Sequence, residues 1–233
     1  MHTTRYDRQT MLPEIGEHGQ EKLKAAKVLI VGVGGLGSPI ALYLTGAGVG
    51  TIGLVDDDEV SITNLQRQIL YTEAEIGQQK VLRAKARLEA LNSETTCHAY
   101  TTKLTEENAT ELIGQYDIIV DGCDNFKTRY LINDTCLQLG KVYVYGAIMG
   151  FDGQVSVFNY KNSGINYRHL YPNEEEIVSL SPPKGVIGVT PAIVGSAEAN
   201  EVIKIICGCG EILTGRLWTI DLRTMQTQLL TIK

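Results

Sequence analysis

The chain has 233 residues, of which 43% are hydrophobic and 21% charged, a balance that excludes a disordered chain and lets a sizeable core form without disulfides or metals. A formal net charge of −6 excludes a general nucleic-acid binder, which needs a basic surface, but leaves room for a local basic pocket. Residues 1–20 lack the apolar stretch of a secretion signal, and no apolar run reaches the ~18–20 residues of a membrane helix, so a cytoplasmic protein with no membrane partner is expected.

Residues 27–32 (KVLIVG) form a short continuous apolar run stopped by glycine, the pattern of a strand buried on both faces. Residues 36–46 follow with Leu36, Ile40 and Leu44 at helical spacing, and Pro39 falls in the first turn, where its missing N–H costs little. Residues 51–56 (TIGLVD) predict a second strand ending in an acid and complete one βαβ unit. Residues 78–91 predict a helix, 96–101 a weaker strand, and 105–113 a helix with Thr105 as its N-cap. Residues 116–121 (YDIIVD) predict a further strand ending in an acid, 125–139 a helix, and 141–146 (KVYVYG) a fifth strand. This alternation predicts an α/β fold, doubly wound and Rossmann-like, with a mainly parallel sheet.

After Gly150 the pattern changes. Residues 154–159 alternate with period two, as an antiparallel strand would, and 162–184, rich in Asn, Gly, Pro and acids, predict a long mobile loop. Residues 191–207 return to a helix, and 216–221 with 225–232 predict a closing hairpin, so the C-terminal extension is antiparallel. No linker divides the chain, and 1–233 is expected to form one nucleotide-binding domain.

Three groups of residues carry chemistry. Gly32-Val33-Gly34-Gly35-Leu36-Gly37 lies between strand and helix, where glycines permit a tight turn and let backbone N–H groups approach a phosphate. Asp56 ends the next strand, where a ribose-binding acid belongs, and makes a ligand-free glycine turn the weaker reading. The second group is Asp56-Asp57-Asp58, then Asn64-Leu65-Gln66-Arg67-Gln68, then Lys80 near a helix start. Isolated, Arg67 and Lys80 would be surface cations; together they offer a planar fork and a point charge for phosphate. An NAD enzyme has little use for both beside its ribose acid, whereas a triphosphate does. The third group is Asp121-Gly122-Cys123-Asp124-Asn125, past the C-terminal end of a parallel strand. Asp124 is placed either to hold Mg²⁺ or to cap the helix beginning near Phe126, and position alone leaves both open.

The five cysteines are an odd number, as expected of reduced thiols, and Cys207 and Cys209 have no second Cys or His pair after them to complete a zinc site.

Arg5-Tyr6-Asp7-Arg8-Gln9, Gly32 to Gly37, Asp56, Asn64 to Gln68, Lys80, Asp124-Asn125 and the run 185–195 together resemble the ThiF/MoeB/HesA adenylyltransferases, relatives of ubiquitin-activating enzymes, over nearly the whole chain. The resemblance implies that ATP adenylylates the C-terminal glycine carboxylate of a small ubiquitin-like sulfur-carrier protein with a Gly-Gly tail, of thiamine thiazole or molybdopterin type, releasing pyrophosphate. By the same resemblance Gly35 lies against the phosphates and Asp56 on the ribose. Asn64, Arg67 and Lys80 contact the triphosphate, Leu65, Gln66 and Asn125 are further nucleotide positions, and Asp124 holds Mg²⁺. Arg8 reaches across a homodimer into the partner's site, which makes Arg8, Arg67, Lys80 and Asp124 the catalytic set.

Two departures from the family pattern matter. Members usually carry a zinc site built from two CxxC pairs; residues 164–170 stand where the first would be, so no structural zinc is expected. Ser181 stands where many members carry a cysteine in the crossover loop, which leaves a covalent thioester step without its thiol. The competing readings are an NAD-dependent oxidoreductase and a non-catalytic carrier-binding module of the same fold.

Overall fold

The computed structural model describes residues 5–180 and 185–232. Its elements run α1 (Asp7–Thr10), α2 (Gly16–Ala25), β1 (Lys27–Val31), α3 (Gly37–Ala47), β2 (Thr51–Val55), α4 (Lys80–Leu91), β3 (Thr96–Tyr100), α5 (Glu106–Gly114), β4 (Ile118–Asp121) and α6 (Phe126–Leu139). They continue with β5 (Val142–Met149), β6 (Asp152–Phe158), α7 (Tyr167–Leu170), α8 (Glu174–Ser179), α9 (Val189–Cys207), β7 (Arg216–Asp221) and β8 (Gln226–Thr231).

The strands form one sheet in the order β3-β2-β1-β4-β5-β6-β7-β8. The first five are parallel and the last three antiparallel, so the doubly wound sheet and its antiparallel extension both form as the patterning predicts. The continuous apolar runs of β1, β2 and β4 have a direct cause, since helices cover both faces of the sheet. Val28 and Ile30 pack with Ile40, Leu44 and Val194 of α3 and α9, while Leu29 and Val31 pack with Ile113 and Ile132 of α5 and α6. Strand order reverses between β1 and β4, whose ends pair Val31 with Asp121. That reversal opens a crevice at the carboxyl ends of the strands.

One helix forms where no element is predicted, and one segment differs from expectation. The N-terminal residues carry a helix, α2, whose buried Leu23 and Gln20 dock it, although its charged sequence gives little periodic signal. The 162–184 stretch is not a plain loop: among its described residues are two short helices, capped by Asn166 and Asn173, each too brief to show a period. Tyr167 is fully buried within 5.0–5.3 Å of the Tyr130, Tyr171 and Tyr145 rings. Arg168 then binds Asp134 through Nε at 2.9 Å and Nη2 at 2.6 Å, and Glu174 at 2.7 Å. Aromatic packing and an arginine fork thus tie this segment to α6.

One buried group stands apart. Glu198 of α9 is wholly covered, neither carboxyl oxygen has a hydrogen-bond partner among the described residues, and it lies against Gly146 of β5, where any side chain would collide with it. Burial, reinforced by the nearby Asp121 charge and opposed by Arg129, pushes its carboxyl well above the usual carboxylate range. The folded state therefore keeps a proton that the unfolded chain releases above pH ~4.5, and stability falls as pH rises by about 1.4 kcal/mol per pH unit until the folded group titrates. Glu198→Gln, which has the same shape and no proton to lose, is expected to melt higher than the parent at pH 8, with the difference closing towards pH 4.5. A difference that is independent of pH, or of the opposite sign at pH 8, would contradict this assignment.

Candidate nucleotide site

The glycine segment leaves β1 with Gly32 at φ +89°, a conformation that glycine adopts without strain. A side chain there would meet the Gly122 carbonyl oxygen at 2.6 Å, so glycine also lets the loops after β1 and β4 touch. The first turn of α3 has no side-chain cap, which leaves helix N–H groups and the positive dipole end for an anion. A Cβ on Gly35 would lie 3.2 Å from Pro191 and 3.6 Å from Cγ of Arg67, so Arg67 and the start of α9 wall the loop in. Tyr71 donates to the Val33 carbonyl at 2.7 Å and anchors the loop from below.

Asp56 extends past β2 into the same crevice. Its Oδ2 accepts from the Val33 N–H and its Oδ1 from the Asp58 N–H, both at 2.8 Å. Burial raises its carboxyl above the ordinary value, against the pull of the Lys80 charge and these two N–H groups. Lys80 is the first residue of α4; it is 3% exposed, and its Nζ lies 2.8 Å from Asp58 Oδ2.

Between them, Ser61 and Asn64 cap a single helical turn, with Asn64 Oδ1 accepting from the Ser61 N–H at 3.3 Å. Leu65 packs on the core, Gln66 reaches the Val186 carbonyl at 3.5 Å, and half-buried Arg67 donates to the Thr63 carbonyl at 3.0 Å.

The loop after β4 is held by Asp121, which is fully buried. It accepts from the Cys123 N–H at 2.9 Å, Arg129 Nε at 3.0 Å and the Tyr143 hydroxyl at 2.8 Å. Arg129 also donates to the Cys123 carbonyl at 3.0 Å. Removing one partner of such a buried pair strands the other charge, at a cost of ~3–5 kcal/mol. The sequence marked Asp121 only as a strand-ending acid; its anchoring role needed Arg129, eight residues on.

This network presents Asp124 outward. Asn125, not Asp124, caps α6, accepting from the Thr128 N–H at 2.9 Å, which leaves the exposed Asp124 with no capping duty.

Gly35, Asp56, Asn64 to Arg67, Lys80 and the Asp124-Asn125 loop therefore gather at one sheet edge. Arg8 does not join them. Its helix α1 is pinned by Gln9 to the Ala47 carbonyl at 3.1 Å, and by the Tyr6 hydroxyl, which accepts from Asn92 at 2.8 Å. Those partners sit at the C-terminal ends of α3 and α4. The 11 residues of α3 put them ~16 Å from the glycine loop. Ser181 lies outside the described residues.

Among the described residues, the only close group of metal-ligating side chains is Asp56, Asp57 and Asp58. Cys207 is buried with its thiol towards the Gly19 carbonyl, and Cys209 is half-buried. No helix among the described residues is long and apolar enough to cross a membrane. A groove of about 980 Å³ opens elsewhere, lined by Lys127, Arg168, Asn173, Glu174 and Val178, and contains none of the nucleotide-site residues named above.

Fold and crevice together define a doubly wound α/β protein with a glycine loop and an acid at its switch point. The ThiF family model matches residues 6–233, and the chain belongs to the ThiF family. It is 46% identical over 235 residues to the sulfur carrier protein adenylyltransferase of Thermus thermophilus, with 98% of this chain and 87% of that protein covered. It is 49% identical over 219 residues to the adenylyltransferase and sulfurtransferase MOCS3 of Culex quinquefasciatus, covering 93% of this chain and 50% of that one. Among solved structures, E. coli MccB with ATP superposes with a TM-score of 0.86 at 24% identity, covering 99% of this chain and 72% of MccB. PaaA superposes with a TM-score of 0.84 at 22% identity, covering 98% of this chain and 82% of PaaA. At these identities the two structures establish the shared fold.

Proposed function

We propose that this protein uses ATP to adenylylate the C-terminal glycine carboxylate of a small ubiquitin-like sulfur-carrier protein with a Gly-Gly tail. The observation that carries the reading is the placement of Arg67 beside the glycine loop and of Lys80 on the Asp56–Asp58 turn. One crevice thus offers a ribose acceptor and two phosphate cations, and a dinucleotide oxidoreductase leaves both cations without a task.

The carrier carboxylate, ionised near neutral pH, attacks the α-phosphorus; a new oxygen–phosphorus bond forms as the bond to pyrophosphate breaks, giving an acyl-adenylate. Such a displacement needs positioning and charge neutralisation more than proton transfer. Gly35 would lie against the phosphates and Asp56 on the ribose, with Asn64, Arg67 and Lys80 on the triphosphate and Leu65, Gln66 and Asn125 around it. The exposed carboxylate of Asp124 suits a hard cation and would hold Mg²⁺, which would supply positive charge beside the phosphates. Arg8, far from its own crevice, would complete the partner's site in a homodimer. The reading places the protein in the cytoplasm, serving a carrier of thiamine thiazole or molybdopterin type.

ATP–pyrophosphate exchange tests it. Exchange is expected with an intact carrier and absent with a carrier lacking its terminal glycine. Exchange independent of any carrier, or none with any Gly-Gly carrier of the same cell, would overturn the assignment.

A further inference from the structure

Lys80 is placed where a cation is hard to keep. It opens α4, and a positive charge at a helix N-terminus opposes the helix dipole. It is 3% exposed, so water does little to solvate the ammonium. Among the described residues a single carboxylate lies within ion-pair distance, Asp58 Oδ2 at 2.8 Å.

Asp58 is itself mounted at two points. Its N–H donates to Asp56 Oδ1 at 2.8 Å, and its carbonyl accepts from the Lys80 N–H at 3.0 Å. The adjoining Glu59 and Gln79 form an antiparallel bridge that closes the turn. Asp56, Asp58 and Lys80 are therefore one hydrogen-bonded unit, although 22 residues separate the ion pair in sequence.

We propose that Asp58 is the positioning residue for Lys80, its carboxylate holding the ammonium at a fixed distance from Asp56 before the nucleotide arrives. The inference rests on the nucleotide reading above and adds to it a residue that the family resemblance did not mark. An ammonium has three donors, and the pair with Asp58 uses one, so phosphate can be met without breaking the pair. Breaking it would strand a covered cation on a helix N-terminus. A preset charge costs no reorganisation as pyrophosphate departs, so its loss is read in kcat more than in KM.

The test compares Asp58→Asn, Lys80→Ala and the double variant in pyrophosphate exchange, with acetic anhydride labelling of Lys80 followed by mass spectrometry. The Asp58 carboxyl is 67% exposed and its backbone bonds survive the change, so the fold is expected to hold. Asp58→Asn should lower kcat at least ~10-fold while KM for ATP stays within ~3-fold, and should add no loss in the Lys80→Ala background. Labelling of Lys80 alone should accelerate several-fold. An unchanged kcat, a lowered KM for ATP, or a further loss on top of Lys80→Ala would each overturn the positioning role. If the parent protein shows no exchange, the nucleotide reading fails instead, and the labelling rate still decides whether Asp58 holds Lys80.

Discussion

Replacing Asp124 by alanine is expected to lower ATP–pyrophosphate exchange by at least ~100-fold, the scale of losing one preorganised electrostatic group at a reacting phosphate. The melting temperature should stay within ~2 °C, because surface substitutions without a structural duty fall within about 0.5 kcal/mol. That separation is available because Asp124 is exposed while Asn125 makes the helix cap. Asn125→Ala provides the contrast: it removes the bond to the Thr128 N–H and should cost ~1 kcal/mol of stability, as caps do. Exchange at close to the parent rate in Asp124→Ala would remove Asp124 from the reaction and leave Mg²⁺ to other acids, with the Asp56–Asp58 triplet the first to test.

A second large effect is expected from mixing two strongly impaired proteins, Arg8→Ala and Lys80→Ala, each with only a small residual activity. Tyr6 and Gln9 fasten α1 to the ends of α3 and α4 away from the glycine loop, so Arg8 cannot serve its own crevice while that anchorage holds. If Arg8 completes the site of a partner related by two-fold symmetry, a heterodimer has one site with both residues intact and one with neither. Random exchange makes half of the dimers mixed, so mixing should restore ~25% of parent activity. The alternative is an exposed Arg8 making only local surface contacts, which are worth ~0–1 kcal/mol. Heterodimers confirmed by native mass spectrometry yet inactive would refute the shared site.

Much of this was legible in the residues alone. Continuous apolar runs at 27–31, 51–55 and 118–121 have one stable home, a strand covered on both faces, and the helices between them impose parallel order. Gly32 to Gly37 and Asp56 directly follow the ends of β1 and β2, and the backbone geometry there acts within a few residues, a range at which sequence spacing is informative.

Tertiary structure decided what depends on distant partners. The choice between Asp124 and Asn125 as helix cap turned on where the first turn of α6 begins, a one-residue matter that propensity does not resolve, since Asp and Asn cap about equally well. The helices within 162–184 exist because Tyr167 is buried among rings from α6 and β5 and Arg168 finds Asp134, 34 residues earlier; neither contact leaves a local period. Lys80 reads in sequence as a point charge for phosphate near a helix start, and only the fold covers it and sets it on Asp58. Arg8 is adjacent to no nucleotide motif, and its distance from the crevice follows from the length of α3. Periodicity and turn chemistry act over one or two turns of chain, whereas burial, ion pairing and charge state depend on which surfaces the finished sheet brings together.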